Sequence, residues 1–339
     1  LIVEVHSVRG SNTGTEDHGV KHVSWHAQTW FRWEGIRYYT AAEADMSTYP
    51  NLSAPPGLTA FVFAGGGSLG AIEVGMLREL LDHGVHPGCV IGASAGAINA
   101  AYFAGRPDGD CVAKLESLWC RIRRRDIMPL TMFGLLEMVL SRRSHLVEAT
   151  ALRMLLEKNL SFSRVEHAAI PLHIVATDMQ SGKEIILSSG PLVDAVLASA
   201  AIPGVFPPVR IDGVDLVDGG VANNTPISVA ISLGATRVIV LPAGFACAIR
   251  KPPGNPIAQA MHALTLLIAR QLVRDLESYS SRAEIFVVPP LCPLDVSPYD
   301  YTQCDRLIER AAAKTRAWLH EGGLERGLIP GELREHTHA

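Results

Sequence analysis

The alternation of apolar and polar positions changes character near residue 57. Residues 1–57 sustain no apolar period and close on Ser53-Ala54-Pro55-Pro56-Gly57, a cluster of chain breakers that reads as a linker. Thr59–Ala64 (TAFVFA) is then a short continuous apolar run, as expected for a strand buried on both faces of a parallel sheet. Gly65-Gly66-Gly67-Ser68-Leu69-Gly70 follows, after which Ile72, Met76, Leu77, Leu80 and Leu81 recur at helical spacing up to the stop signal Gly84. A second buried strand, Gly88–Ile91, runs into Gly92-Ala93-Ser94-Ala95-Gly96, and the small residues of AINAAYFAG behind it predict another helix. This βαβα order predicts a parallel sheet with right-handed crossovers.

Farther along, the pattern predicts helices over 111–122 (after the cap candidate Asp110), 146–159, 257–279 and 300–321. It predicts strands over 172–177, 184–188, 209–211, 214–217, 236–241 and 284–288. Asp212-Gly213 between VRI and VDLV is a two-residue hairpin signal of the kind that needs positive φ. No internal repeat or low-complexity segment interrupts the pattern.

Composition narrows the class. The 339 residues are 48% hydrophobic and 19% charged, a globular balance. A formal net charge of -4 offers no basic field, so no nucleic-acid partner is expected. The longest apolar candidate, Ile257–Ala269, is too short to span a bilayer and contains His262. LIVEVHSVRG shows no secretory pattern, and the expectation is a soluble, cytoplasmic chain. The sequence opens on Leu1, and Met46 stands shortly before the first strand. Residues 1–45 are therefore expected to be an over-extended start or, alternatively, part of a poorly ordered leader over 1–57. Residues 58–325 read as the folded domain and 326–339 as a polar tail. Six scattered cysteines with no CxxC pair predict free thiols and no metal site.

Three glycine-rich sites carry candidate chemistry. In GASAG, Ser94 lies between small residues at the end of a buried strand and before a helix, the context of a G-x-S-x-G nucleophile elbow; the alternative is a helix cap. In GGGSLG, consecutive glycines at a helix start leave backbone N–H groups free to hold an anion. Gly65, Gly67 and Gly70 also fit G-x-G-x-x-G, but the next strand ends without an acidic residue to take a ribose, and no Lys completes a P-loop. An oxyanion hole is the stronger reading, and a phosphate- or nucleotide-binding module is the alternative. Asp218-Gly219-Gly220, after VDLV, puts a carboxylate at a strand end, although such a string alone is more often a turn.

A serine nucleophile needs a base. His145, His167, His173, His262, His320, His336 and His338 lie downstream of Ser94, and none follows a strand in the loop position of a Ser-His-Asp triad. Asp218 itself could take the proton if burial raised its pKa above the usual carboxylate value. Both arrangements stay open on the residues alone.

Taken together, GGGSLG, GASAG, ASAAIPGVFPPV and DGGVANNTP closely resemble the patatin-like phospholipase family, well over about residues 59–242 and more loosely to 290. The resemblance implies a mainly parallel sheet sandwiched by helices, a three-layer α/β/α fold. It implies lipid acyl hydrolysis without metal or cofactor, with Ser94 as nucleophile, Asp218 as its partner in a dyad, and Gly65, Gly66 and Gly67 as oxyanion hole. Leu69 stands where many members have Arg or Lys, a difference that bears on head-group binding more than on ester chemistry.

One segment outside these motifs suggests substrate access. Arg121, Arg123, Arg124 and Arg125 precede DIMPLTMFGLLEMVL, and Arg142-Arg143 follow it. Over 121–143 this pattern suits a lid or a contact with an anionic membrane surface; the alternative is a buried helix with solvated arginines at its ends.

Overall fold

The computed structural model of the chain describes residues 57–127, 145–244, 254, 256–326 and 330–333. The expected leader, most of the lid segment, Cys247, His336 and His338 lie outside the described residues.

Eight strands form one mixed, mostly parallel sheet: β1 Thr59–Phe63, β2 Cys89–Ala93, β3 Leu172–Asp178, β4 Glu184–Leu187, β5 Val209–Ile211, β6 Val214–Asp218, β7 Arg237–Leu241 and β8 Glu284–Val287. Their order is β5-β6-β3-β2-β1-β7-β8, with β4 also on β3. The run β3-β2-β1-β7-β8 is parallel, while β4, β5 and β6 are antiparallel to their neighbours. The helices are α1 Gly70–Asp82, α2 Ala95–Ala104, α3 Gly109–Arg121, α4 Arg124–Ile127, α5 Thr150–Asn159, α6 Leu192–Ser199, α7 Gly220–Asn223, α8 Ile227–Ser232, α9 Pro256–Tyr279, α10 Cys304–His320 and α11 Gly323–Arg326.

Alternation within each strand builds the layers. Phe61, Phe63, Val90 and Ile174 join one core with α1, α2, α3, α5, α6 and α10. Ala60, Val62, Ile91 and Val240 join a second, smaller core with α8 and α9 on the opposite face. Burial on both faces is what the uninterrupted apolar runs required.

The local stops are chemical. Gly84 (φ +76) ends α1, its N–H donating to Leu81 O and that of Val85 to Leu80 O, a Schellman closure. Asp212 (φ 49) and Gly213 (φ 83) turn β5 into β6 as expected. Three expectations needed correction. Asp108, not Asp110, caps α3, its Oδ1 accepting the Cys111 N–H at 2.8 Å. Helix α5 starts at Thr150 rather than 146 because the N–H groups of Leu146 and Val147 donate to the loop carbonyls of Gly204 and Val205. Helix α10 starts at Cys304 because Asp300 first caps a 3₁₀ turn over Tyr301–Gln303.

Cys89, Cys111, Cys120, Cys292 and Cys304 form no disulfide. Among the described residues no group of His, Cys, Asp and Glu could hold a metal ion, and no helix is long and apolar enough to cross a membrane. Arg121, Arg123, Arg124 and Arg125 are all exposed. Pro330 and Leu333, within the expected tail, are buried, Leu333 in the smaller core.

Candidate active site

Strand β2 ends at Ala93, paired with Val175 of β3. The chain then turns sharply at Ser94, whose φ of 54 and ψ of -122 are unusual for a residue with a side chain. The glycines beside it allow the bend. A Cβ at Gly96 would collide with the backbone of Phe63 and Ala64, so only glycine lets α2 pass so close to β1. Ser94 is held through its own backbone: its N–H donates to Ser199 Oγ at 2.9 Å, and that hydroxyl donates to Val175 O at 2.5 Å.

Asp218 ends β6 opposite Ala176, the next residue of β3 after Val175. Its N–H donates to Ala201 O, and its carbonyl accepts the Thr177 hydroxyl at 2.8 Å. The two side chains meet: Ser94 Oγ donates to Asp218 Oδ2 at 2.6 Å, and Asp218 Oδ1 accepts the Gly220 N–H at 2.8 Å. Ser94 is 8% exposed and Asp218 6%. Burial pushes the Asp218 pKa up to about 6, opposed by the Ser94 hydroxyl and the Gly220 amide, which favour the charged form. A carboxylate of this kind is charged at neutral pH yet basic enough to accept a proton.

The glycine loop leans on this pair. Gly65 is so close that a Cβ there would run into Asn224 Oδ1 and lie 3.1 Å from Ser94 Cβ. Asn224 Nδ2 donates to Gly65 O at 3.1 Å, and the Gly65 N–H donates to Asn224 O at 3.0 Å. That second bond corrects the expected role of Gly65, because its amide is already engaged. Gly66 and Gly67 amides have no hydrogen-bond partner among the described residues, whereas the Ser68 N–H donates to Pro298 O. Gly67 takes φ +59 with Pro298 O only 2.5 Å from where a Cβ would be, so the position needs glycine on two counts.

Beneath the loop, Glu73 of α1 is fully buried, and Asn99 Nδ2 donates to its Oε2 at 2.7 Å and to Gly70 O at 2.9 Å. Burial holds the Glu73 pKa well above the ordinary value, against the opposing hydrogen bonds from Asn99 and Ala64. Trp119 Nε1 donates to Asn99 Oδ1 at 2.8 Å, linking the loop to the wall of the cavity beside Ser94. Tyr299 lines the same cavity, its pKa raised by burial first and then by the Asp218 charge.

No imidazole joins Ser94 or Asp218 among the described residues. His145 bonds Glu148 and His320 packs edge-on against His83. His173 bonds Ser188 Oγ at 2.7 Å, with its pKa pushed down to about 4 by burial. His167 sits in an exposed turn and His262 in α9. Ser199, Asn224 and Thr177 were missed in the sequence as site residues. Ser199 and Asn224 lie inside the strings ASAAIPG and VANNTP, but nothing in a linear string says which hydroxyl or amide turns inward.

The family model for patatin-like phospholipase matches residues 61–231. This chain belongs to the patatin-like phospholipase family. A relative, an uncharacterized NTE family protein of Mycobacterium tuberculosis (strain CDC 1551 / Oshkosh), is 30% identical over 278 residues, covering 76% of this chain and 46% of that protein. A putative patatin-like phospholipase domain-containing protein of Caenorhabditis elegans is 30% identical over 186 residues, 54% of this chain and 16% of its own length. The chain thus spans less than half the length of these curated relatives. Among solved structures, VipD from Legionella pneumophila covers 79% of this chain, and 67% of VipD is covered in turn, at 18% identity and a TM-score of 0.43. Human GIVD cytosolic phospholipase A2 bound to methyl gamma-linolenyl fluorophosphonate covers the same 79%, with 58% of its own chain, at 10% identity and a TM-score of 0.44.

Proposed function

We infer that residues 58–325 form a serine-dependent carboxylic ester hydrolase acting on phospholipids or other acyl lipids. The observation that carries this reading is the 2.6 Å hydrogen bond from Ser94 Oγ to Asp218 Oδ2 at a buried strand edge. In the mechanism, Asp218 takes the hydroxyl proton as Ser94 Oγ attacks the acyl carbonyl. The N–H groups of Gly66 and Gly67 stabilise the oxyanion, and Gly65 supplies close approach in place of a third donor. As the tetrahedral intermediate collapses, the C–O bond to the alcohol breaks and Asp218 returns its proton to the leaving oxygen. Water then gives a proton to Asp218 and attacks the acyl-enzyme, releasing the fatty acid and restoring Ser94.

The nearness of Gly65 to Ser94 supports the loop's service to an oxyanion over a separate phosphate site. The exposed arginines at 121–125 support a contact of the 121–143 segment with an anionic lipid surface; its residues 128–143 lie outside the described residues. A fluorophosphonate probe followed by peptide mapping tests the chemistry. A tag on Ser94 is expected, and active protein that carries its tag elsewhere overturns the reading.

A further inference from the structure

Tyr299 belongs to a short segment that the glycine loop itself holds. Ser68 donates its N–H to Pro298 O at 2.8 Å and its hydroxyl to Ser297 O at 3.2 Å. The N–H groups of Tyr299 and Asp300 turn back to Ser297, onto its Oγ at 3.3 Å and its O at 2.9 Å. On the other side, Tyr301 stacks on Trp119 with ring planes 7° apart, and Asn99 holds the Trp119 indole N–H at 2.8 Å. The backbone that carries Tyr299 is thus fixed from both directions before any substrate arrives. Its side chain joins Gly67, Ser94 and Pro298 in the wall of one small cavity. The residue is half-buried and packs against the larger core. Burial, and after it the Asp218 charge, raise the Tyr299 pKa, so the phenol keeps its proton at neutral pH. Both Asp218 oxygens already accept a hydrogen bond, from the Ser94 hydroxyl and the Gly220 N–H. Among the described residues Tyr299 Oη donates to neither of them, and its proton is available to a third group beside the nucleophile.

We propose that Tyr299 is a catalytic residue of the acylation step, its hydroxyl donating a hydrogen bond to the alcohol oxygen of the ester as that oxygen departs. The carbonyl oxygen has to face the Gly66 and Gly67 amides, and the alcohol oxygen has to face Asp218, which returns the proton to it. A hydroxyl that shares the Ser94 cavity and stands in the field of the Asp218 charge lies on that second side. The C–O bond breaks with its electron pair going to the alcohol oxygen, the proton comes from Asp218, and Tyr299 keeps its own. The phenol stabilises the negative charge while it develops and is unchanged at the end. This inference rests on the ester hydrolysis assigned above to Ser94 and extends it to the departing group.

The test compares kcat/KM, which reports acylation, for p-nitrophenyl, phenyl and benzyl butyrate in wild type and Tyr299→Phe, with melting curves to establish folding. Nitrophenolate spreads its charge over the ring and leaves without help, whereas the benzyl alkoxide holds its charge on one oxygen. Tyr299→Phe keeps the ring and loses only the donor. It is expected to lower the rate on benzyl butyrate at least about tenfold more than on p-nitrophenyl butyrate, with phenyl butyrate between them. An equal effect on all three esters, or no effect on any, is what a merely structural tyrosine gives, and either result overturns the inference while leaving the hydrolase reading intact. Should Tyr299→Phe fail to fold, fluorotyrosine at position 299 carries the test. Its more acidic hydroxyl is expected to raise the benzyl-to-p-nitrophenyl ratio, and an unchanged ratio overturns the inference. Failure of the wild type to cleave any of the esters overturns the hydrolase reading, and this inference with it.

Discussion

Ser94 and Asp218 converge on one position along β3. The register of β2 pairs Ala93 with Val175, so continuation would set Ser94 opposite Ala176, the residue that Asp218 of β6 faces instead. Strand β4 pairs with Ala176 from the other edge, so β2 and β6 share the same edge of β3 and approach it from opposite directions. The bend at Ser94 lifts the chain out of the sheet where β6 comes in. A hydroxyl and a carboxylate 124 positions apart are thereby brought to hydrogen-bond distance.

Removing either partner separates chemistry from folding. Ser94→Ala and Asp218→Asn are each expected to reduce hydrolysis of a short p-nitrophenyl ester by about 10³-fold or more. Asp218→Asn also removes a buried charge, so at pH 8 its melting temperature is expected to equal or exceed that of the wild type. Ester kinetics and thermal melts read the two effects, and an Asp218→Asn variant with near-normal rates contradicts the dyad.

The pH dependence follows from the raised Asp218 pKa. The base form is needed for attack, so kcat/KM is expected to rise with pH and level off above a midpoint near 6. Stability moves the other way. Because the folded-state pKa of about 6 lies above the ordinary 3.8, the folded protein holds its proton more tightly, and this contribution to stability is lost as pH rises from about 4 to 6. Urea melts of wild type against Asp218→Asn across that window isolate the difference.

Burial favours the protonated form of Glu73 in the folded chain. Glu73→Gln should therefore be tolerated within about 1 kcal/mol, while Glu73→Ala leaves a cavity and takes the acceptor from one of the two Asn99 N–H bonds, a loss of about 2 kcal/mol or more. Because burial holds the Glu73 pKa above its ordinary value, the wild type should lose stability relative to Glu73→Gln as pH rises through and beyond the ordinary carboxylate range. Denaturant midpoints measured from about pH 4 to pH 8 check both statements.

Gly65→Ala forces Asn224 and Ser94 apart, so ester turnover should fall by more than tenfold. Ser199→Ala removes the bridge between the Ser94 amide and Val175 O, and is expected to lower stability by about 1–3 kcal/mol and slow turnover. Steady-state kinetics alongside urea melts would measure both, and Ser199→Ala with unchanged stability contradicts the bridging role.

Much of the fold was legible in the chain because its determinants are local. Apolar runs such as TAFVF announced strands covered on both faces, Gly84 marked the end of α1, and Asp212-Gly213 marked the β5-β6 hairpin. GASAG, GGGSLG and DGG each stood out because a sharp bend, an exposed amide or a close approach demands small residues at that point. By itself the sequence therefore determined the strand-and-helix order, the family and the candidate groups. Which groups meet was decided by tertiary structure: the antiparallel entry of β6 beside β2, the engagement of the Gly65 amide by Asn224, and the cavity beside Ser94. Those depend on strand pairing and packing between residues far apart in sequence, which no local spacing encodes.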